Sequence, residues 1–163
     1  LAQCADIPMI QKYNFTTAFV EGWGLYSECL GYELGFYQSP HASFGRLVYE
    51  MLRAVRLVVD TGIHEYGWSR EKAVNYCKQH LPLSEGEIIN EVDRYIVMPA
   101  QALAYKIGEI KLKSLRKQIN KAEGAAFDVR SFHDRLLQLG GCLPLTVLDH
   151  YFMEELEAEG LNL

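Results

Sequence analysis

The chain has 163 residues, 49% hydrophobic and 23% charged, with a formal net charge of −5. That length suits one domain able to bury roughly 70% of the surface its unfolded chain exposes, and the composition excludes a disordered or fibrous protein. The acidic balance argues against a duplex nucleic-acid binder, which needs surplus cations to displace counterions, and apolar runs of only a few residues, as in Leu57-Val58-Val59, predict no membrane-spanning segment.

The apolar periodicity is helical nearly throughout, with neither strand alternation nor an Asn-Gly hairpin signal. The opening Leu1-Ala2-Gln3, without initiator Met or signal-like stretch, is expected of a piece cut from something longer. Residues 1–12 read as the tail of a helix broken near Pro8. A second helix is expected from Thr16 to Phe36 despite Gly22, Gly24, Gly31 and Gly35, each costing up to about 1 kcal/mol relative to Ala. Such a cost suits a close approach by another backbone or a ligand, and close packing alone also accounts for it. Ser39-Pro40 reads as a loop, followed by a long helix from about Ala42 to His64 or Glu65. Ser69 is the expected N-cap of a helix reaching Gln79. Ser84 and Glu87 have the spacing of a capping box, opening a helix that Pro99 must kink or end. Helix resumes from Ala100 to Glu123 and stops at Gly124. Asp128 caps a helix ending at Gly140-Gly141, and Pro144 opens a last one to about Glu159. No repeat or linker interrupts the chain. The expectation is one all-α domain, residues 1–163, of about seven helices.

Cys4, Cys29, Cys77 and Cys142 form no C-x-x-C pair, and their wide spacing resembles neither a secreted disulfide scaffold nor a zinc knuckle. Free thiols filling core space are the commoner outcome.

Polar groups on apolar faces carry the functional information. Glu21 and Glu28, seven residues apart, share one face of a helix rich in Phe, Val, Trp, Leu and Tyr. A carboxylate there must be paired, protonated or metal-bound, although a salt-bridged or surface Glu is the more frequent case. Glu50, Arg53, Arg56, Asp60 and His64 draw a polar stripe along the long helix, either a solvated face, which is commoner, or an internal ion-pair ladder. His64-Glu65 begins like H-E-x-x-H, but Trp68 stands where the second His belongs. Arg94, Tyr95, Gln101 and Tyr105 cluster about the proline kink, where backbone groups are freed and a Tyr hydroxyl can donate to an oxyanion. There is no G-x-S-x-G, P-loop, dinucleotide fingerprint or Glu-x-x-His. His41, His80, His133 and His150 lack a ligand partner at helical spacing and read as surface or packing residues.

Phe19-Val-Glu21-Gly-Trp-Gly-Leu-Tyr-Ser-Glu28, Asp60-Thr-Gly-Ile-His64 with Gly67-Trp-Ser69, Arg94-Tyr95 with Pro99-Ala-Gln101, and Tyr105-Lys-Ile-Gly108 form an ordered series. It continues with Phe127-Asp-Val-Arg130-Ser-Phe-His133-Asp and Gly140-Gly-Cys-Leu-Pro144. The series resembles the C-terminal part of the family catalogued as domain of unknown function 885, whose members resemble gluzincin-type zinc metallopeptidases, large and mostly helical. The resemblance implies an upstream H-E-x-x-H helix bearing two zinc-binding histidines and a general-base Glu, expected just before Leu1. It implies Glu21 as the third zinc ligand and Glu28 as either its support or a purely structural residue. The Arg94-Tyr95 pair is similar to one in angiotensin-converting enzyme, implying Tyr95 as oxyanion donor, Arg94 as its electrostatic neighbour and His64 as a further substrate or oxyanion contact. Gln101 and Tyr105 are weaker candidates for substrate binding. The implied activity is zinc-dependent hydrolysis of a peptide substrate by the longer protein, with this piece carrying half a site. The rival reading is a helical, non-catalytic interaction module, or pseudoenzyme, that keeps the fold without the metal.

Overall fold

The computed structural model describes residues 7–139, 141–158 and 160–161. Every regular element among them is helical: α1 Met9–Tyr13, α2 Thr17–Glu33, α3 Pro40–His64, α4 Arg70–His80, α5 Glu85–Val97, α6 Ala104–Glu123, α7 Val129–Gln138 and α8 Leu145–Ala158. Short 3-10 turns occupy Gln101–Leu103 and Gly124–Ala126. None of these helices is long and apolar enough to cross a membrane. The chain packs as two units, Gly24–Lys106 and, separately, the residues up to Trp23 with those from Ile107 onward.

In the Gly24–Lys106 unit, the core is built at helical spacing. Leu52, Val55 and Val59 of α3 meet Ala73, Val74 and Cys77 of α4 and Ile88, Val92 and Tyr95 of α5, with Leu81 and Ala102 closing the cluster. Burial of each large side chain contributes about 1.5–3 kcal/mol. The caps are chemical. Ser39 accepts from the Ala42 N–H at 3.1 Å with Pro40 in the first turn, so α3 opens two residues before the expected start and the Ser-Pro pair is its cap rather than a loop. Ser69 caps α4, and Ser84 with Glu87 forms the expected box at α5. After α3 the chain turns through Gly67, at φ +60°, and the Trp68 ring lies where a Cβ on Gly62 would come within 2.5 Å.

The proline region departs from the expected helix at Ala100. α5 ends at Val97, and Ala100 adopts φ 65°, the single positive φ at a non-glycine among the described residues. That conformation costs an L-residue about 1–2 kcal/mol. The Asp60 Oδ1 accepts the Ala100 N–H at 3.1 Å and helps hold the turn, from which the 3-10 turn leads into α6.

In the other unit, Phe19, Leu112, Leu115, Ile119, Phe132, Leu136, Leu148, Phe152 and Leu156 are buried. A Cβ on Gly22 would lie 2.4 Å from the Gly108 Cα, and one on Gly108 would lie 2.0 Å from the Ala18 carbonyl oxygen. This is the close backbone approach expected of the glycine-rich helix, realised at Gly22. Gly24 has no atom within 4 Å of its Cβ direction. Asp128 caps α7, and Arg135 joins Glu123 at 2.6 Å and Glu155 at 3.2 Å. Gly140 and Glu159, expected helix ends, and Cys4 lie outside the described residues.

Cys77 and Cys142 are free thiols. Cys77 is buried, and burial, then the Glu91 charge, pushes its thiol up to about 11.

Candidate functional site

The polar stripe of α3 turns inward at Arg56 and Asp60, while His64 at its end is exposed. Arg56 is 6% exposed and Asp60 2%, which a solvated face does not allow. Partners on α5 meet the Arg56 guanidinium, and the turn after α5 meets Asp60 Oδ1, while Asp60 Oδ2 is buried without a partner. Glu50 pairs with Arg46 at 2.7 Å and Lys106 at 3.1 Å, and Asp60 caps the Ala100 turn.

Glu91 of α5 is the hub. Its Oε2 accepts from an Arg56 guanidinium nitrogen at 2.7 Å, from Arg94 at 3.0 Å and from the Tyr95 hydroxyl at 2.7 Å. Arg56 Nε in turn donates to the Tyr95 hydroxyl oxygen at 3.0 Å. Burial alone raises the Glu91 pKa, but these donors outweigh it and hold the carboxyl at about 2. Tyr95 is pushed well above the ordinary phenol range, by burial first and by the Glu91 carboxylate second. With its ring 1% exposed and its proton already donated to Glu91, the Tyr95 hydroxyl must leave that partner before it can serve an oxyanion.

The remaining candidates attach to the same group. His64 Nε2 lies 2.9 Å from the Tyr95 carbonyl oxygen. A carbonyl only accepts, so Nε2 carries the proton, and the neutral ring of this exposed residue keeps its lone pair on Nδ1. Arg94 donates to the Gln101 Oε1 at 2.7 Å, and the Tyr105 ring lies 4.9 Å from the Arg56 guanidinium and 5.8 Å from that of Arg53. His64, Arg94, Tyr95, Gln101 and Tyr105 are therefore brought together. Glu21 is partly buried on α2, in the other unit. Glu28, in the Gly24–Lys106 unit, stands 3.9 Å from Arg53.

Zinc needs about three protein ligands and a water in a catalytic site. No three His, Cys, Asp or Glu side chains converge as a metal site among the described residues. Three members of the cluster, Glu91, Arg53 and Arg56, were not singled out in the sequence as site residues. Glu91 had a local signal, since it precedes Arg94 and Tyr95 by three and four residues, the helical contact spacing. Its link to Arg56 had none. Arg53 and Arg56 were legible only as part of the stripe.

A many-helix, all-α protein with an Arg–Glu–Tyr cluster beside a proline turn is the class these observations define. The family model described as "Bacterial protein of unknown function (DUF885)" matches residues 1–151, and the chain belongs to that family. A solved structure from Colwellia psychrerythraea, described as a candidate lipoprotein, is 42% identical and superposes with a TM-score of 0.88 over 94% of this chain and 26% of its own. One from Shewanella oneidensis, described as a candidate lipoprotein of unknown function, is 20% identical with a TM-score of 0.82, covering 91% of this chain and 27% of its own, and shows the fold alone. The chain thus spans about a quarter of the length of these structures. No curated protein matches it.

Proposed function

We propose that a protein of this family at the length of the solved relatives hydrolyses peptide bonds with a zinc ion, and that this chain supplies Glu21 as a ligand and the Tyr95 cluster as substrate-contacting residues. The supporting observation is the convergence just described: five residues chosen from separated motifs are joined by hydrogen bonds and ring stacking in one unit. Zinc, when held, supplies a bound water with a pKa lowered toward ~7. The upstream H-E-x-x-H ligands are expected outside this chain. Within it, His64 offers an exposed ring of fixed tautomer to substrate. Arg94 and Arg56 hold positive charge beside the Tyr95 hydroxyl, and Gln101 fixes the Arg94 guanidinium.

The test is bound zinc per chain in the longer protein, wild type beside Glu21→Gln, with peptide hydrolysis as second readout. About one zinc, lost or much weakened in a folded variant, is expected of a three-ligand site. No zinc in either protein after metal-replete preparation overturns the reading. The burial of Tyr95 favours the rival, a non-catalytic helical module in which the cluster only holds helices together. Tyr95→Phe separates the two: loss of an oxyanion donor lowers kcat by about 10²–10³ with KM little changed, whereas a structural tyrosine lowers stability and leaves kcat intact.

A further inference from the structure

We propose that the cavity beside this cluster is a receptor for a carboxylate carried on a small apolar group, with Arg53 as the residue that binds the charge. The cavity, about 280 Å³, lies wholly within the Gly24–Lys106 unit, and Tyr49, Leu52, Arg53, Leu83 and Glu91 are among its lining residues. Its acidic groups are already committed. Glu91 Oε2 is held by Arg56, Arg94 and Tyr95, and Glu87 accepts from the Ser84 backbone and hydroxyl. Arg53 is different. Arg46, Arg56, Arg94 and Arg135 each hold a carboxylate between 2.6 and 3.0 Å, while the nearest to Arg53 is Glu28 at 3.9 Å, too far for a hydrogen bond.

The geometry prepares Arg53 for such a guest. Its Nη1 donates to the Tyr49 carbonyl at 3.1 Å, its Nε is buried without a partner, and its side chain is 18% exposed. The Tyr49 and Tyr105 rings lie 5.1 and 5.8 Å from the guanidinium carbon, which restrains the group without consuming its N–H donors. A planar guanidinium with spare donors matches a carboxylate, and Leu52 and Leu83 supply an apolar wall for whatever bears it. The C-terminal residue of a peptide and a free aliphatic acid share this chemistry. Glu28 is then the internal competitor. The inference stands independently of the zinc reading, because every group it uses is present in this chain.

Calorimetric or NMR titration of the 163-residue chain tests it, with N-acetyl-leucine against N-acetyl-leucinamide. Saturable binding of the acid at about millimolar Kd, with the amide weaker by about tenfold or more, is expected. Equal affinity for acid and amide, or no saturable binding of the acid, overturns the proposal. Arg53→Gln is expected to abolish the preference for the acid, and a folded variant that retains it overturns the assignment. Glu28→Gln is expected to tighten acid binding a few-fold by removing the competitor, and unchanged or weaker binding counts against it. N-acetyl-alanyl-leucine binding well above 4-methylpentanoate identifies a peptide end as the guest, and comparable binding identifies a free acid.

Discussion

At Glu91 one carboxylate oxygen meets three donors, and removing it strands Arg56, which is 6% exposed. Leaving a buried guanidinium without its anion makes Glu91→Gln destabilising by about 1.5–3 kcal/mol, measurable as a lowered urea midpoint at unchanged slope. The pH dependence follows from the same bonds. The folded carboxyl titrates at about 2, below the roughly 4.3 of an unfolded Glu, so its contribution is complete above that ordinary value and is lost as pH falls toward and through 2. Comparing wild type with Glu91→Gln between about pH 5 and 2 should show a gap that narrows on acidification. At this scale the sequence showed which residue types would matter and less well what they would do. The Arg94-Tyr95 pair was legible, but the inward turn of the α3 stripe depends on α5 lying against it, a contact that no spacing within one helix encodes.

Elements were more legible than sites, because their signals are local. The Ser69 cap, the Ser84–Glu87 box and the Asp128 cap all stand where their side-chain chemistry places them. Ala100 was missed because nothing in its identity announces a left-handed residue, which is held in part by an aspartate forty positions away. Ala100→Gly should therefore raise stability slightly, by about 0.5–1 kcal/mol after the added chain entropy of glycine, read as an upward shift in Tm. Gly22 predicts the opposite. A methyl there meets Gly108 backbone at 2.4 Å, and backbone cannot rotate away. Gly22→Ala should destabilise by about 1–3 kcal/mol, the usual range for overpacking, whereas Gly24→Ala, in open space on the same helix, should be neutral or favourable in the same thermal melt.

On the scale of the whole molecule, the chain carries many exposed large apolar side chains, among them Leu34, Phe36, Phe44, Tyr66 and Val97, each more than 60% exposed. A chain that spans about a quarter of its solved relatives has these as surface, so self-association rising with concentration is expected in sedimentation velocity. A monomer at every concentration tested would contradict this. The buried Cys77 has a practical consequence. Its thiol is 2% exposed and titrates at about 11, whereas Cys29 and Cys142 are only partly covered. An alkylating reagent therefore tells the time at this position. It modifies Cys77 only in the instants when the helices around it part, so the slow phase of labelling is a clock on the opening of the Gly24–Lys106 unit that runs in plain buffer without denaturant.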